Sequence, residues 1–258
     1  MAKRKAKRYF LHKKYLSIIL YLLLLLAAVC ALKSVFFVKT NNSPAVKTEQ
    51  KVIKEDNSTK RYTIDVQYPE VVGLTDTDFQ KQINTEIKEW IDNEVGQFKK
   101  ENSSPPKIKG LEEAKAQLFI KYSTAKLDEQ IVSIGLEKYE YSIGQAHGTT
   151  NTTTFNYSVK NRKKLSLTDL FVPGCDCWQK LSKIASSAVT EDLKKDGGIV
   201  DTDLVAAGTA PKAENYQNFL LDRNSLILIF DPYQVAPGAA GTRVVNLPFS
   251  KLRGILKI

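Results

Sequence analysis

Histidine is nearly absent: the 258 residues hold two, His12 and His147. His12 lies in a basic end, so any nucleophile–histidine–acid arrangement would have to use His147. Cysteine is scarce too, at three residues. Two of them, Cys175 and Cys177, are one residue apart, which is not the two-to-four spacing of ordinary zinc sites. There is no phosphate-cradling glycine motif, no sustained cluster of metal ligands and no internal repeat. No cofactor and no metal are expected on these grounds. Acidic residues are missing from positions 1–14, where Lys3, Arg4, Lys5, Lys7, Arg8, Lys13 and Lys14 supply +7 of the net +10. The rest of the chain is near neutral with mixed signs, a poor design for holding nucleic acid.

What is present begins with an apolar run. Tyr15 to Leu32 carries no charge, and at roughly 1.5 Å per residue it spans about 27 Å as a helix, close to a bilayer's hydrocarbon thickness. The run is Leu-rich all round, so it does not read as an amphipathic core helix. Lys33 can snorkel, and Val35 to Val38 extend the apolar stretch. The basic block behind it belongs on the cytoplasmic side. Expected, then, are a basic cytoplasmic end (1–14), a single-pass anchor (15–38) and an extracytoplasmic remainder. A cleaved signal peptide ending near Val29-Cys30-Ala31 is the rival reading. A lipidated Cys30 is disfavoured because Val29, not a small residue, precedes it.

Residues 39–59 are polar and nearly free of large apolar side chains, and read as a flexible spacer. Beyond them about 200 residues suffice for a core. Tyr62, Ile64, Val66 and Tyr68 alternate as a strand, which Pro69 is expected to end. Phe79, Ile83, Ile87, Trp90, Ile91 and Phe98 recur at helical spacing behind a cap at Thr75 or Asp76. Alternation returns at Ala114–Tyr122, Val132–Leu136 and Phe155–Val159, with a turn at Asn161–Lys164. Trp178, Leu181, Ile184, Ala185 and Val189 line a second helix, ended by Gly197-Gly198. Asp201 and Asp203 read as a helix start rather than a carboxylate pair. Further strands flank the turn Asp222–Ser225, another covers Val244–Leu247, and a short helix is expected from Ser250. Strands outnumber helices and arrive in pairs, so the expected class is α+β: an antiparallel-sheet domain with two main helices, in halves 60–160 and 161–258.

The chemistry stays open at three places. His147, in a Gly-containing turn, reads first as a structural hydrogen-bonding residue and second as a ligand or catalytic one. Cys175 and Cys177 read as a local disulfide or plain loop thiols; a strained, easily reduced redox pair is the alternative. Asp231-Pro232-Tyr233 leads into a loop through Gly241 that reads equally as a recognition loop anchored by Tyr233 or as a packed crossover. Asn57-Ser58-Thr59 and Asn151-Thr152-Thr153 fit a glycosylation pattern.

Two stretches carry a family resemblance: Tyr139-Glu140-Tyr141-Ser142-Ile143-Gly144-Gln145-Ala146-His147-Gly148, running on to Leu165–Phe171, and Asp231–Gly241. With the strand ending Tyr68-Pro69 and the helix around Ile83-Asn84, they resemble an extracytoplasmic bacterial domain pair of unknown function. That pair forms the outer region of a lysozyme-sensing anti-sigma factor, and its first half precedes the catalytic domain of some peptidoglycan deacetylases. The family's Gly-Gly-Ala-His turn is here Gly144-Gln145-Ala146-His147. With only positions 1–14 expected in the cytoplasm, an anti-sigma role is not carried over, nor is deacetylation. The resemblance implies lysozyme or peptidoglycan as the ligand class, with candidate ligand-binding residues Tyr141, His147, Tyr233, Gln234, Pro237 and Gly238. The expected function is a membrane-anchored extracytoplasmic binding module for a cell-envelope ligand, without catalysis. A captured lysozyme would be blocked by a loop inserted in its cleft. The alternatives are an envelope enzyme or redox protein using His147 or Cys175/Cys177, and an assembly factor working through its membrane helix.

Overall fold

The structure, a computed structural model, describes residues 45–257. The expected basic end, the membrane anchor and Cys30 lie outside the described residues. Among the described residues no helix is long and apolar enough to cross a membrane.

A six-stranded sheet runs in the order β1-β2-β3-β4-β5-β6. Its strands are β1 (Lys47–Asn57), β2 (Tyr62–Val72), β3 (Ala116–Leu127), β4 (Ile131–Tyr141), β5 (Thr149–Ser158) and β6 (Lys163–Lys164). Helix α1 (Thr77–Glu101) connects β2 to β3. The Asp76 carboxylate accepts the Phe79 N–H at 3.0 Å and caps it. Phe79, Ile83, Ile87, Ile91 and Phe98, spaced by four or seven residues and so on one side of the helix, are buried. They meet Tyr62, Ile64 and Val66 of β2, Leu118 and Ile120 of β3, and Ile134 and Leu136 of β4 in one apolar cluster. Alternation along each strand sends these residues to one face and their neighbours to the other.

Two expectations are corrected here. The sheet is mixed rather than antiparallel: β2 and β3 pair in parallel, Tyr62 against Ala116 through Val66 against Ile120. A parallel pair needs a crossover, and α1 is that crossover. The 39–59 spacer is also not a spacer over its second half, because β1 pairs along its whole length with β2, from Lys47↔Val72 to Asn57↔Tyr62. Backbone bonding and cross-strand ion pairs, Lys51–Glu70 at 2.5 Å and Lys54–Asp65 at 3.4 Å, hold a strand that has few apolar residues to advertise it. Nor does Pro69 end β2. It pairs opposite Gln50, beyond the reach of the β3 ladder, so its missing N–H breaks no bond to β3.

The second assembly is a three-stranded antiparallel sheet of β7 (Phe219–Leu221), β8 (Ser225–Phe230) and β9 (Arg243–Pro248). One face packs on α2 (Cys177–Lys195), where Leu181, Ala185, Val189 and Leu193 meet Leu226, Leu228, Phe230 and Val245. Arg243 Nε donates to Asp192 at 2.9 Å and its Nη2 to Asp196 at 2.7 Å, tying β9 to the end of α2. Gly197, at φ 68°, stops that helix. Asp201 caps the short α3 (Thr202–Gly208) through the Asp203 and Leu204 N–H groups. The expected helix at Ser250 is a single 3₁₀ turn, Phe249–Leu252.

Strand β7 lies against the face of the large sheet opposite α1, and the contact is polar. Ser133 Oγ, fully buried, accepts the Leu221 N–H at 2.8 Å and donates to Asn156 Oδ1 at 2.7 Å. Asn156 Nδ2 donates to the Phe219 carbonyl at 2.8 Å. Two buried side chains thus satisfy the outer edge of a strand that would otherwise carry bare backbone groups. This dock covers only one end of that face.

Candidate functional site

The remainder of the face, which no other described element covers, is built from the odd-numbered residues of β3 and β4. Their even-numbered neighbours, Leu118, Ile120, Ile134 and Leu136, are in the core. In register across the two strands stand Gln117↔Tyr141, Phe119↔Tyr139, Lys121↔Glu137 and Ser123↔Gly135. The Phe119 and Tyr139 rings stack, with centroids 5.9 Å apart and planes 14° from parallel. Tyr139 lies against the backbone of Gly148, where an added Cβ would run into the ring. The glycine following His147 is therefore what lets the platform lie flat.

Two hollows meet on this face. One, of about 350 Å³, is lined by Gln117, Phe119, Lys121, Glu137 and Tyr139. The other, of about 440 Å³, runs between the sheets, with Thr152 on one side and Leu220, Ile229 and Val244 on the other. Lys121 and Glu137 border both, so the platform opens directly into the groove. Beneath the groove Gly135 leaves space that Leu220 closes. Val244 is 52% exposed, an apolar side chain left at the groove's wall.

Carboxylates flank the trough. Asp231, at the end of β8, accepts the Thr152 N–H at 2.9 Å and an Asn218 amide N–H at 3.4 Å. Burial pushes its pKa up, and the charge of Glu137 adds to the rise, while the Thr152 bonds act against it. Asp65, opposite Phe119 on β2, has a buried Oδ1 with no hydrogen-bond partner.

The residues singled out in the sequence are distributed around this face rather than gathered in it. Tyr141 is on the face, at the end of β4 beside Gln117. His147 is exposed in the β4–β5 loop, its Nδ1 3.0 Å from the carbonyl of Gly148. Tyr233 is 63% exposed at φ 72°, a left-handed conformation unusual for a bulky residue. Its ring covers Gly238, where no Cβ would fit. Pro237 precedes the 3₁₀ turn Gly238–Ala240. Gln234 points inward, its amide donating to the Asn215 carbonyl at 2.9 Å and to that of Gly208 at 3.3 Å, so it anchors the loop to α3. Cys175 and Cys177 are joined as a disulfide at the start of α2. Among the described residues no group of three His, Cys, Asp or Glu side chains is placed to hold a metal ion. Sequence reading missed Phe119, Lys121 and Glu137. The available signal was an aromatic at the outward phase of strands whose inward phase was already assigned.

Fold and face together define an α+β module that presents an open, aromatic-bearing sheet surface beside an intersheet groove. Residues 54–150 match the family described as Deacetylase PdaC, and residues 168–250 match a family described as protein of unknown function, DUF3298. The chain is 35% identical over 178 residues to the peptidoglycan-N-acetylmuramic acid deacetylase PdaC of Bacillus subtilis, covering 69% of this chain and 37% of that protein. It is 28% identical over 115 residues to an esterase of Mycobacterium tuberculosis, covering 45% of this chain and 48% of that one. The chain therefore spans less than half the length of either curated relative. Two crystal structures of DUF3298 proteins share the fold at 17% identity. That from Pseudomonas aeruginosa superposes with a TM-score of 0.62 over 83% of this chain and 96% of its own. That from Bacteroides fragilis gives 0.60 over 84% and 96%.

Proposed function

We propose that this chain is a single-pass envelope protein whose PdaC–DUF3298 body stands outside the cytoplasm and binds the glycan of peptidoglycan without turning it over. The observation that carries the reading is the stacked Phe119–Tyr139 pair on an otherwise polar, uncovered sheet face. Flat aromatic surfaces ringed by hydrogen-bonding groups suit a sugar, which offers an apolar C–H face and an equatorial rim of hydroxyl and amide groups. Gln117, Glu137 and Tyr141 supply that rim. The relation to a deacetylase that acts on peptidoglycan points to the same polymer.

The test is co-sedimentation of the full, detergent-solubilised chain with insoluble peptidoglycan. Phe119→Ala is expected to weaken binding about tenfold, the equivalent of about 1.4 kcal/mol of lost stacking. Binding unchanged in that variant would overturn the assignment of the platform. Accessibility of the body to protease added to intact cells checks the topology. A second reading, capture of a lysozyme-like protein, is favoured by one feature: the exposed Tyr233 ring, which lies over Gly238. Tyr233→Ala would abolish lysozyme capture and leave glycan binding intact.

A further inference from the structure

We infer that the ligand is a glycan bearing a short peptide arm, with the sugar on the Phe119–Tyr139 platform and the arm in the intersheet groove. This rests on the glycan reading above and specifies it. Three features of the trough lead there.

The first is continuity. The two hollows share Lys121 and Glu137, so a ligand on the platform meets the groove without crossing a ridge. A bare polysaccharide would use the platform alone and leave about 440 Å³ of apolar-walled space empty. That volume lies within the range of about 300–1,000 Å³ typical of small-ligand sites.

The second is the change in chemistry along the trough. The platform end is aromatic and polar. The groove end is walled by Leu220, Ile229 and Val244, with Thr152 and Ser123 at its polar edge. An unsubstituted sugar has only its flat C–H face to set on an apolar surface, and the platform takes that face, whereas amino-acid side chains can fill an aliphatic-walled groove and their amides suit the hydroxyl edge.

The third is charge. Lys121 and Glu137 face each other in register at the junction, both exposed. They present one cation and one anion where the arm would leave the sugar. A neutral homopolymer matches neither, but a short peptide carries both carboxylate and amine. Glu137 also borders the half-buried Asp231, so an amine placed there relieves the repulsion between the two carboxylates.

The experiment is calorimetric titration of the full chain with three ligands: a wall-derived tetrasaccharide with its peptide arms, the same tetrasaccharide with the arms removed by an amidase, and a chitin tetramer. The arm-bearing ligand is expected to bind about tenfold more tightly than the other two. Val244→Asp, at an exposed position, should bring the affinity for the arm-bearing ligand down to that for the arm-free one; circular dichroism checks the fold. Phe119→Ala should weaken all three. Equal affinity for the glycan with and without arms would overturn the inference while leaving the glycan reading standing, as would an arm increment that survives Val244→Asp. Binding of none of the saccharides would sink the glycan reading itself, and the inference with it.

Discussion

The two faces of the six-stranded sheet are made from the same strands, yet they have opposite fates. On one, β2, β3 and β4 present Ile64, Leu118, Ile120 and Ile134, and α1 seals them completely. On the other, the alternate positions of β3 and β4 carry Gln117, Phe119, Lys121, Glu137 and Tyr139, and nothing described covers them. A sheet can keep one face wet if that face is polar, and most of this one is. The aromatic pair is the exception. The difference teaches that the covered face sets stability and the open face is available for recognition.

The largest test of that contrast is a cavity on the sealed side. Ile87 is fully buried in the α1 contact, so Ile87→Ala should cost about 2–5 kcal/mol, read as a drop in the urea midpoint. Ligand binding by the fraction that remains folded should be unchanged. Next comes the dock. Asn156→Ala strands the buried Phe219 carbonyl and the Ser133 hydroxyl that pair with it. A loss of about 1–3 kcal/mol is expected. Because β7 would loosen, amide exchange should rise at Leu221 before it rises in β3. Smaller again is Phe119→Ala, which removes a stacked, half-buried ring and should cost about 1 kcal/mol in stability. If Phe119→Ala destabilised as much as Ile87→Ala, the open face would be a structural surface and the contrast would fail.

The sealed face was legible in the sequence because burial imposes a period. Phe79, Ile83, Ile87 and Ile91 repeat every fourth residue, and Leu118 and Ile120 every second, so α1 and the inner phase of the strands could be read directly. Three features left no such trace. Strand β1 is an exposed edge held by its ladder and by ion pairs, so Lys, Glu and Gln occupy positions that in a central strand would be apolar. The parallel β2–β3 pairing is a matter of chain path, which local periodicity does not encode. The platform is assembled from strands whose loops drew attention first. His147 attracted notice as the lone histidine outside the basic end, but the residue beside it, Gly148, is the one that shapes the surface by admitting the Tyr139 ring. Tyr233 and Gln234 stood together in sequence and separate in space: one ring faces solvent, one amide is bonded inward to Asn215.

The smallest predicted effects come from two aspartates that titrate in opposite senses, one remote from the open face and one at its rim. Asp169 accepts the Ser166 N–H at 2.8 Å and the Ser166 hydroxyl at 2.7 Å, and it pairs with Lys163. The lysine and these bonds pull its pKa down to about 2. Its folded pKa lies below the unfolded value of about 3.9, so its contribution is fully present at neutral pH and fades as pH falls from about 4 towards 2. Solvent exposure holds it below about 1 kcal/mol. Asp231 is the reverse case. Burial, then the neighbouring Glu137, raise its pKa, so the folded state binds the proton more readily than the unfolded chain does. Its ionisation therefore costs stability as pH rises through the unfolded value, and the cost persists at neutral pH. Asp231→Asn keeps an oxygen to accept the Thr152 N–H and removes the charge. Thermal denaturation at pH 7 should show Asp231→Asn slightly more stable than the parent and Asp169→Asn slightly less. At pH 3 both differences should shrink. An Asp231→Asn variant that is less stable at pH 7 by more than the long 3.4 Å bond from Asn218 accounts for would mean that the carboxylate is held by a cation the described residues do not supply. The open face would then be less exposed than its geometry indicates.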